Sequence, residues 1–222
     1  MKKVSLSLAL IIGIVLNVQA QLAYGVRAGY NHANFGGPDA RNWGEMDVLP
    51  NWKPGYHLGG FISYMDFQPF IFEVGLYFSA KGAKYTGEYY DVTENGNFSI
   101  IKMTRVEDLK YLDIPLHVRY LINENFSVFA GPQLSFMISA IRKDTPEGGQ
   151  MESANAKDDY KSMDFLLDFG LAYMLDNGIQ FQLEYNHGLS NISDYGHGGV
   201  SYYTLNNRVF KLSVGFVLNR QK

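Results

Sequence analysis

The strongest constraint on the fold is a period of two that recurs eight times along the chain. Successive side chains of a strand point to opposite faces, so strict alternation marks strands whose two faces meet different surroundings. Leu22, Tyr24, Val26, Ala28 and Tyr30 alternate with Gly25, Arg27, Gly29 and Asn31, and Tyr56, Leu58, Ile62 and Tyr64 with His57, Gly59 and Ser63. Phe70 to Phe78 set apolar side chains at even positions against Glu73 and Gly75, with Ser79 and Lys81 continuing the polar set. Leu112 to Tyr120 oppose Asp113, His117 and Arg119, while Phe126 to Ile138 oppose Ser127, Gln133 and Ser135. The last three runs set Phe165 to Tyr173 against Asp164, Asp168 and Gly170, Ile179 to Tyr185 against Gln180, Gln182 and Glu184, and Phe210 to Leu218 against Lys211, Ser213 and Gly215.

The connections follow a second pattern. Residues 66–69, 123–125 and 176–178 are short and rich in Asp, Asn, Pro and Gly, whereas polar stretches near 34–54, 86–104, 141–162 and 191–206 are long. Short and long alternate, as they do when one rim of a barrel faces the periplasm and the other the outside. The expected fold is all-β: an eight-stranded antiparallel transmembrane β-barrel with short periplasmic turns and four long extracellular loops.

Alternation alone fits two solvents. A soluble eight-stranded carrier turns its apolar face inward around a cavity, and a membrane barrel turns it outward to lipid. Charge placement separates them. Arg27, Glu73, Lys81, Asp113, His117, Arg119, Asp164, Asp168, Glu184 and Lys211 share the polar face, acids and bases nearly balanced, with glycines between them. An eight-stranded barrel is narrow enough for side chains to fill it, and buried ions require partners. These ten residues are therefore expected to form a structural charge network in a plugged lumen, with no porin-type channel and a monomeric barrel.

The first twenty residues fit export. Lys2 and Lys3 precede an apolar stretch from Val4 to Val18, and Val18-Gln19-Ala20 places small residues where a signal peptidase cuts. Residues 1–20 read as a signal peptide and 21–222 as the barrel domain, which places the protein in the outer membrane of a Gram-negative bacterium. The chain has no Cys, which excludes a lipoprotein anchor, disulfides and thiolate chemistry. A formal net charge of -3 without a basic stripe gives no case for nucleic acid.

Several segments resemble the PorT family of outer-membrane β-barrels. They are Gly25 to Asn31, Glu73 to Tyr85, Tyr111 to Leu116, Gly131-Pro132, Asp168 to Leu171, Tyr185 to Ile192 and Asn207 to Phe210, in that order. The resemblance covers about Leu22 to Leu218. It implies the barrel fold and, from the family's founding member, an accessory part in type IX secretion; many barrels of the family have no assigned role.

Other chemistries find candidate residues in the chain. His187 and Ser190 invite comparison with lipid-modifying barrel enzymes, but a spacing of three puts strand residues on opposite faces, so no catalytic residues are expected. His57, His117 and Asp113 share a face and could hold a divalent ion; a charge-network role is the expectation, with no metal and no cofactor. Trp43, Trp52, Tyr89, Tyr90, Tyr202 and Tyr203 lie in the long stretches and form a possible loop binding surface. They suit lipopolysaccharide or protein contact, or else pack together to cap the barrel. Expected partners are outer-membrane lipid, lipopolysaccharide and envelope or secretion-system proteins, with a surface adhesin as the alternative. Leu116→Arg is expected to impair insertion and Ser135→Ala to be nearly silent.

Overall fold

The computed structural model describes residues 22–41, 49–92, 98–197 and 200–219. The eight runs are eight strands: β1 (Leu22–Gly36), β2 (Lys53–Phe67), β3 (Phe70–Val92), β4 (Phe98–Leu121), β5 (Phe126–Pro146), β6 (Met163–Met174), β7 (Ile179–Gly188) and β8 (Asn206–Val217). Each pairs antiparallel with its sequence neighbours, and β1 pairs with β8 through Val26↔Phe216 to Gly36↔Asn206. The ring therefore closes without a free edge. Closure satisfies the backbone between strands, a requirement wherever no water can do so.

Local chemistry sets the short turns. Asn123 Oδ1 accepts the N–H groups of Asn125 and Phe126 at 3.0 and 2.8 Å. In the third turn Asn177 Oδ1 accepts from Ile179 N at 3.1 Å, and Gly178 adopts φ 87°, a left-handed conformation that glycine tolerates. These turns share one rim with the start of β1 and the end of β8.

The two faces are inverted relative to a soluble protein. Outward Val26, Leu58, Val74, Leu116, Leu183 and Leu212 are each 42–60% exposed, while all ten inward charged residues expected in the lumen are at most 5% exposed. A continuous apolar exterior of this extent has lipid as its natural solvent. Tyr24, Tyr64, Tyr120 and Tyr173 face outward near the short-turn rim; Tyr30, Tyr56, Trp52 and Phe210 do so near the other. They form two aromatic girdles.

The structure corrects the expected loops in one respect. β3, β4 and β5 span 23, 24 and 21 residues, against the roughly 9–11 needed to cross a bilayer. The stretch near 86–104 is mostly strand, with Tyr85↔Arg105 through Val92↔Phe98 paired. Within 141–162, β5 continues to Pro146, and Glu152–Asn155 adds a short strand along it. These stretches are polar enough to resemble loops because their outer face meets water.

Inside the extension the core is apolar. Phe35, Tyr85, Leu109, Tyr111, Met137, Tyr160, Ile192 and Leu205 form one buried cluster. The change of core is sharp along each strand. Inward side chains of β3 pass from Glu73, Ser79 and Lys81 to Ala83 and Tyr85, and those of β4 from His117 and Asp113 to Tyr111 and Leu109. A register shift between β4 and β5 at Lys110/Tyr111 lies at this level, as does Gly82, whose φ of 121° and contact with the Glu107 carbonyl leave no room for a Cβ.

Candidate functional site: the charged lumen and its cap

Inward glycines open the lumen. A Cβ at Gly59 or Gly75 would collide with the Tyr77 ring, and one at Gly170 with Phe129. Into that space β1 projects Arg27. Its Nη1 lies 2.9 Å from Glu73 Oε1 and donates to the Tyr77 hydroxyl at 2.9 Å, and Nη2 donates to Gln180 Oε1 at 2.7 Å. The Arg27 guanidinium also stacks 4.3 Å over the Phe61 ring. Glu73 is shared: Arg119 Nη2 donates to its Oε2 at 3.1 Å and to Gln182 Oε1 at 3.1 Å.

The network continues toward the opposite rim. Gln182 Nε2 donates to Glu184 Oε2 at 2.7 Å, and Lys211 Nζ lies 3.2 Å from Glu184 Oε1 and 3.7 Å from Asp113 Oδ2. Lys81 pairs with Asp113 at 2.8 Å. Ser135 bridges that pair, accepting from Lys81 Nζ at 3.0 Å and donating to Asp113 Oδ1 at 2.7 Å. It is therefore not the inert lumen position that alternation alone suggested. His117 Nε2 sits 3.0 Å from Asp168 Oδ2, and Asn186 Nδ2 donates at 2.6 Å to both Asp168 and Glu184.

Nine of the ten expected lumen residues thus join one chain of contacts. Asp164 stands at its outer end, accepting from Ser190 Oγ at 2.6 Å and Asn207 Nδ2 at 2.9 Å. The Lys81 ammonium lies 4.7 Å over the ring of Tyr111, to which Asn207 also donates, linking Asp164 to the rest. Two lysines and two arginines face five acidic side chains in this network, with His117 among them. Packing leaves a cavity of about 10 Å³ between His57, His117 and Lys211, room for about one water. A second cavity of about 50 Å³ opens at the short-turn rim among Phe61, Met65, Ile71, Leu121 and Met174.

Among the described residues, one group has metal-ligand proximity: the donor atoms of His117, Asp168 and Glu184 lie within 4.8 Å of one another. Its carboxylates already accept from Asn186, and Glu184 faces Lys211, so a divalent ion would compete with an amide donor and an ammonium already in place. His57 is engaged elsewhere, between Asn31 Oδ1 at 2.7 Å and Ser213 Oγ at 2.9 Å. His187 and Ser190 are not brought together. Ser190 contacts Asp164 and the Phe165 N–H, while His187 Nδ1 is 3.4 Å from the Tyr185 hydroxyl on the outer face.

The cap holds two adjacent carboxyls on opposite faces. Glu107 points inward and accepts from Arg142 Nε at 2.7 Å, and Arg142 Nη2 reaches Asp159 at 2.9 Å. Burial pushes the Glu107 carboxyl above its ordinary range despite Arg142. Asp108 points outward. Partial burial works to raise it, but the hydrogen bond and charge of Lys53, with Lys143 and Lys110, hold it below the ordinary range.

The expected loop aromatics scatter. Trp52 stacks on His32, with ring centres 5.0 Å apart, and lies 5.4 Å from Phe210, so it belongs to the outer girdle. Tyr203 packs on the apolar cap and Tyr202 is exposed. Tyr89 and Tyr90 fall on β3, opposite Ile101 and Ile100, their side chains outside the described part, and Trp43 lies outside the described residues altogether. Sequence reasoning missed the cap core. Its signal was a change of phase: Leu109 and Tyr111 are apolar at odd positions, whereas Leu112 to Tyr120 are apolar at even ones.

Comparison with known proteins follows the same lines. A model of the family described as "Outer membrane protein beta-barrel domain" matches residues 18–194. No curated protein sequence matches the chain. Similar solved structures include Ail, the attachment invasion locus protein of Yersinia pestis (14% identity, 89% of this chain and 99% of that one, TM-score 0.45). Neisserial surface protein A follows at 11% identity, 87% and 96% coverage and TM-score 0.43. OprG of Pseudomonas aeruginosa gives 11% identity, 89% and 96% coverage and TM-score 0.41.

Proposed function

The chain belongs to the outer membrane protein β-barrel domain family, and from that premise we propose that this integral protein of the bacterial outer membrane is a non-enzymatic interaction protein. In this reading the lumen is structural and the extension of β3–β5 is the working surface. The single observation carrying it is that three strands continue past the lipid band around a core of their own, an outlay of ordered chain that a membrane anchor alone does not need. A non-catalytic role is supported by the separation of His187 from Ser190. The layout of residues 1–20 supports an exported precursor.

A photo-crosslinking residue at Lys102, on the extension, should trap a protein partner in intact cells, whereas one at Leu116, on the lipid face, should not. Equal trapping at both positions would remove the extension from the proposal. A second reading, an accessory role in type IX secretion, is favoured by the seven ordered segments that resemble PorT barrels. Deleting the gene should then lower protease export, and unchanged export would dispose of that role.

A further inference from the structure

Lys84, Lys110 and Lys143 lie on the outer face of β3–β5 where these strands leave the lipid band, and the buried Lys53 reaches the same place from the start of β2. Asp108 and Lys110 continue the outward phase of Leu112 and Ile114 along β4. Lys53 Nζ lies 2.9 Å from Asp108 Oδ1 and Lys143 Nζ 3.6 Å from Oδ2. Strand register places Lys84 and Lys143 on either side of Val106, and Lys110 between Ala80 and Ser139. Asp108 thus stands between the ammonium groups of Lys53 and Lys143, with Lys110 two positions along β4 and Lys84 two positions beyond its β3 register partner Gly82, so four lysines face one carboxylate in the cluster. The opposite rim has the reverse sign: the three short turns carry Asp66, Glu124 and Asp176 and no lysine or arginine.

Position gives this charge a purpose. Directly below the cluster, outward Phe78, Leu112, Phe136 and Ile138 form an apolar wall. A ligand matching both levels carries an anionic head at the membrane surface and acyl chains beneath it. We propose that Lys84, Lys110 and Lys143 bind the phosphate of an outer-leaflet glycolipid, with Asp108 orienting Lys53 and Lys143 and limiting the affinity. Ammonium–phosphate contacts are charge-assisted, and cationic side chains at a bilayer surface attract anionic head groups additively. The assignment rests on the membrane-embedded reading above, which fixes the level of the surface.

The test uses the chain from residue 21 in nanodiscs of neutral phosphatidylcholine, with native mass spectrometry of added bisphosphorylated lipid A, dephosphorylated lipid A or phosphatidylglycerol. The protein should select bisphosphorylated lipid A. K110Q/K143Q should weaken that binding about thirtyfold, the loss expected from two charges near a membrane surface. D108N should act in the opposite direction and tighten it. Equal binding of phosphorylated and dephosphorylated lipid A, equal binding of phosphatidylglycerol, or weaker binding by D108N would overturn the assignment. A protein without a heat-dependent gel shift overturns the embedded reading as well, whereas an inserted barrel without lipid selectivity overturns this assignment alone.

Discussion

The lumen and the cap are consecutive lengths of one tube, yet they are filled by opposite chemistries. At the level of Arg27, Glu73, Asp113 and Lys211 the interior is ionic and the exterior greasy. At the level of Tyr85, Leu109 and Tyr160 the interior is greasy apart from Glu107, which is paired with Arg142, and the exterior carries Lys84, Asp108 and Lys143. The outside medium explains the exchange. Where lipid surrounds the strands, outward apolar side chains lose nothing and polar groups find partners only inside. Where water surrounds them, burying apolar surface again drives packing. The core of a membrane barrel is thus set by its surroundings, and it switches where they switch.

The sharpest attack on this contrast is Glu73→Ala. It strands Arg27 and Arg119 in the lumen and should cost about 3–5 kcal/mol, read as a lowered urea midpoint of the heat-shifted band. A cost below about 1 kcal/mol would mean that the lumen is wet and the pairing ornamental. Leu109→Ala attacks the other half and should cost about 2–5 kcal/mol as a cavity. Its effect should appear as proteolysis of the extension while the heat shift survives; loss of both together would merge the two regions into one cooperative unit. Leu116→Arg, on the lipid face, should cost about 2–4 kcal/mol near the midplane. The same change at the also exposed Ile100, on the water side, should stay within about 0.5 kcal/mol.

Smaller effects refine the boundary. Ser135→Ala should cost about 1–3 kcal/mol, because it leaves the Lys81–Asp113 pair short of a buried partner. Acid should loosen the base of the cap through Asp108. A carboxyl held low in the folded state stabilises above its unfolded value of about 3.9, and that stabilisation fades as pH falls through the folded value. Extension proteolysis should therefore rise below about pH 4 in the native protein and lose this dependence in D108N.

Strand count, closure, facing and the membership of the lumen could be read from the sequence, because a period of two survives wherever the two faces meet constant surroundings. The extension could not be read from that rule. At Lys81-Gly82-Ala83 and at Tyr111-Leu112 the alternation reverses phase, and a reversed phase looks like the end of a strand when one solvent is assumed throughout. Side-chain partnerships were also hidden. That Ser135 bridges Lys81 and Asp113, or that Asn186 sits between two carboxylates, depends on strand stagger, which periodicity does not encode.

The seam between β1 and β8 bears on how such a chain is put together. Arg27 meets Gln180, and His57 meets Ser213, across more than 150 positions of sequence. These two contacts cannot form until the last strands meet the first, and the edges of a half-built sheet would have no partners in hydrocarbon. Closure is consequently a late step, slow for its distant pairings and aided by a place where incomplete ribbons can wait without entering the bilayer.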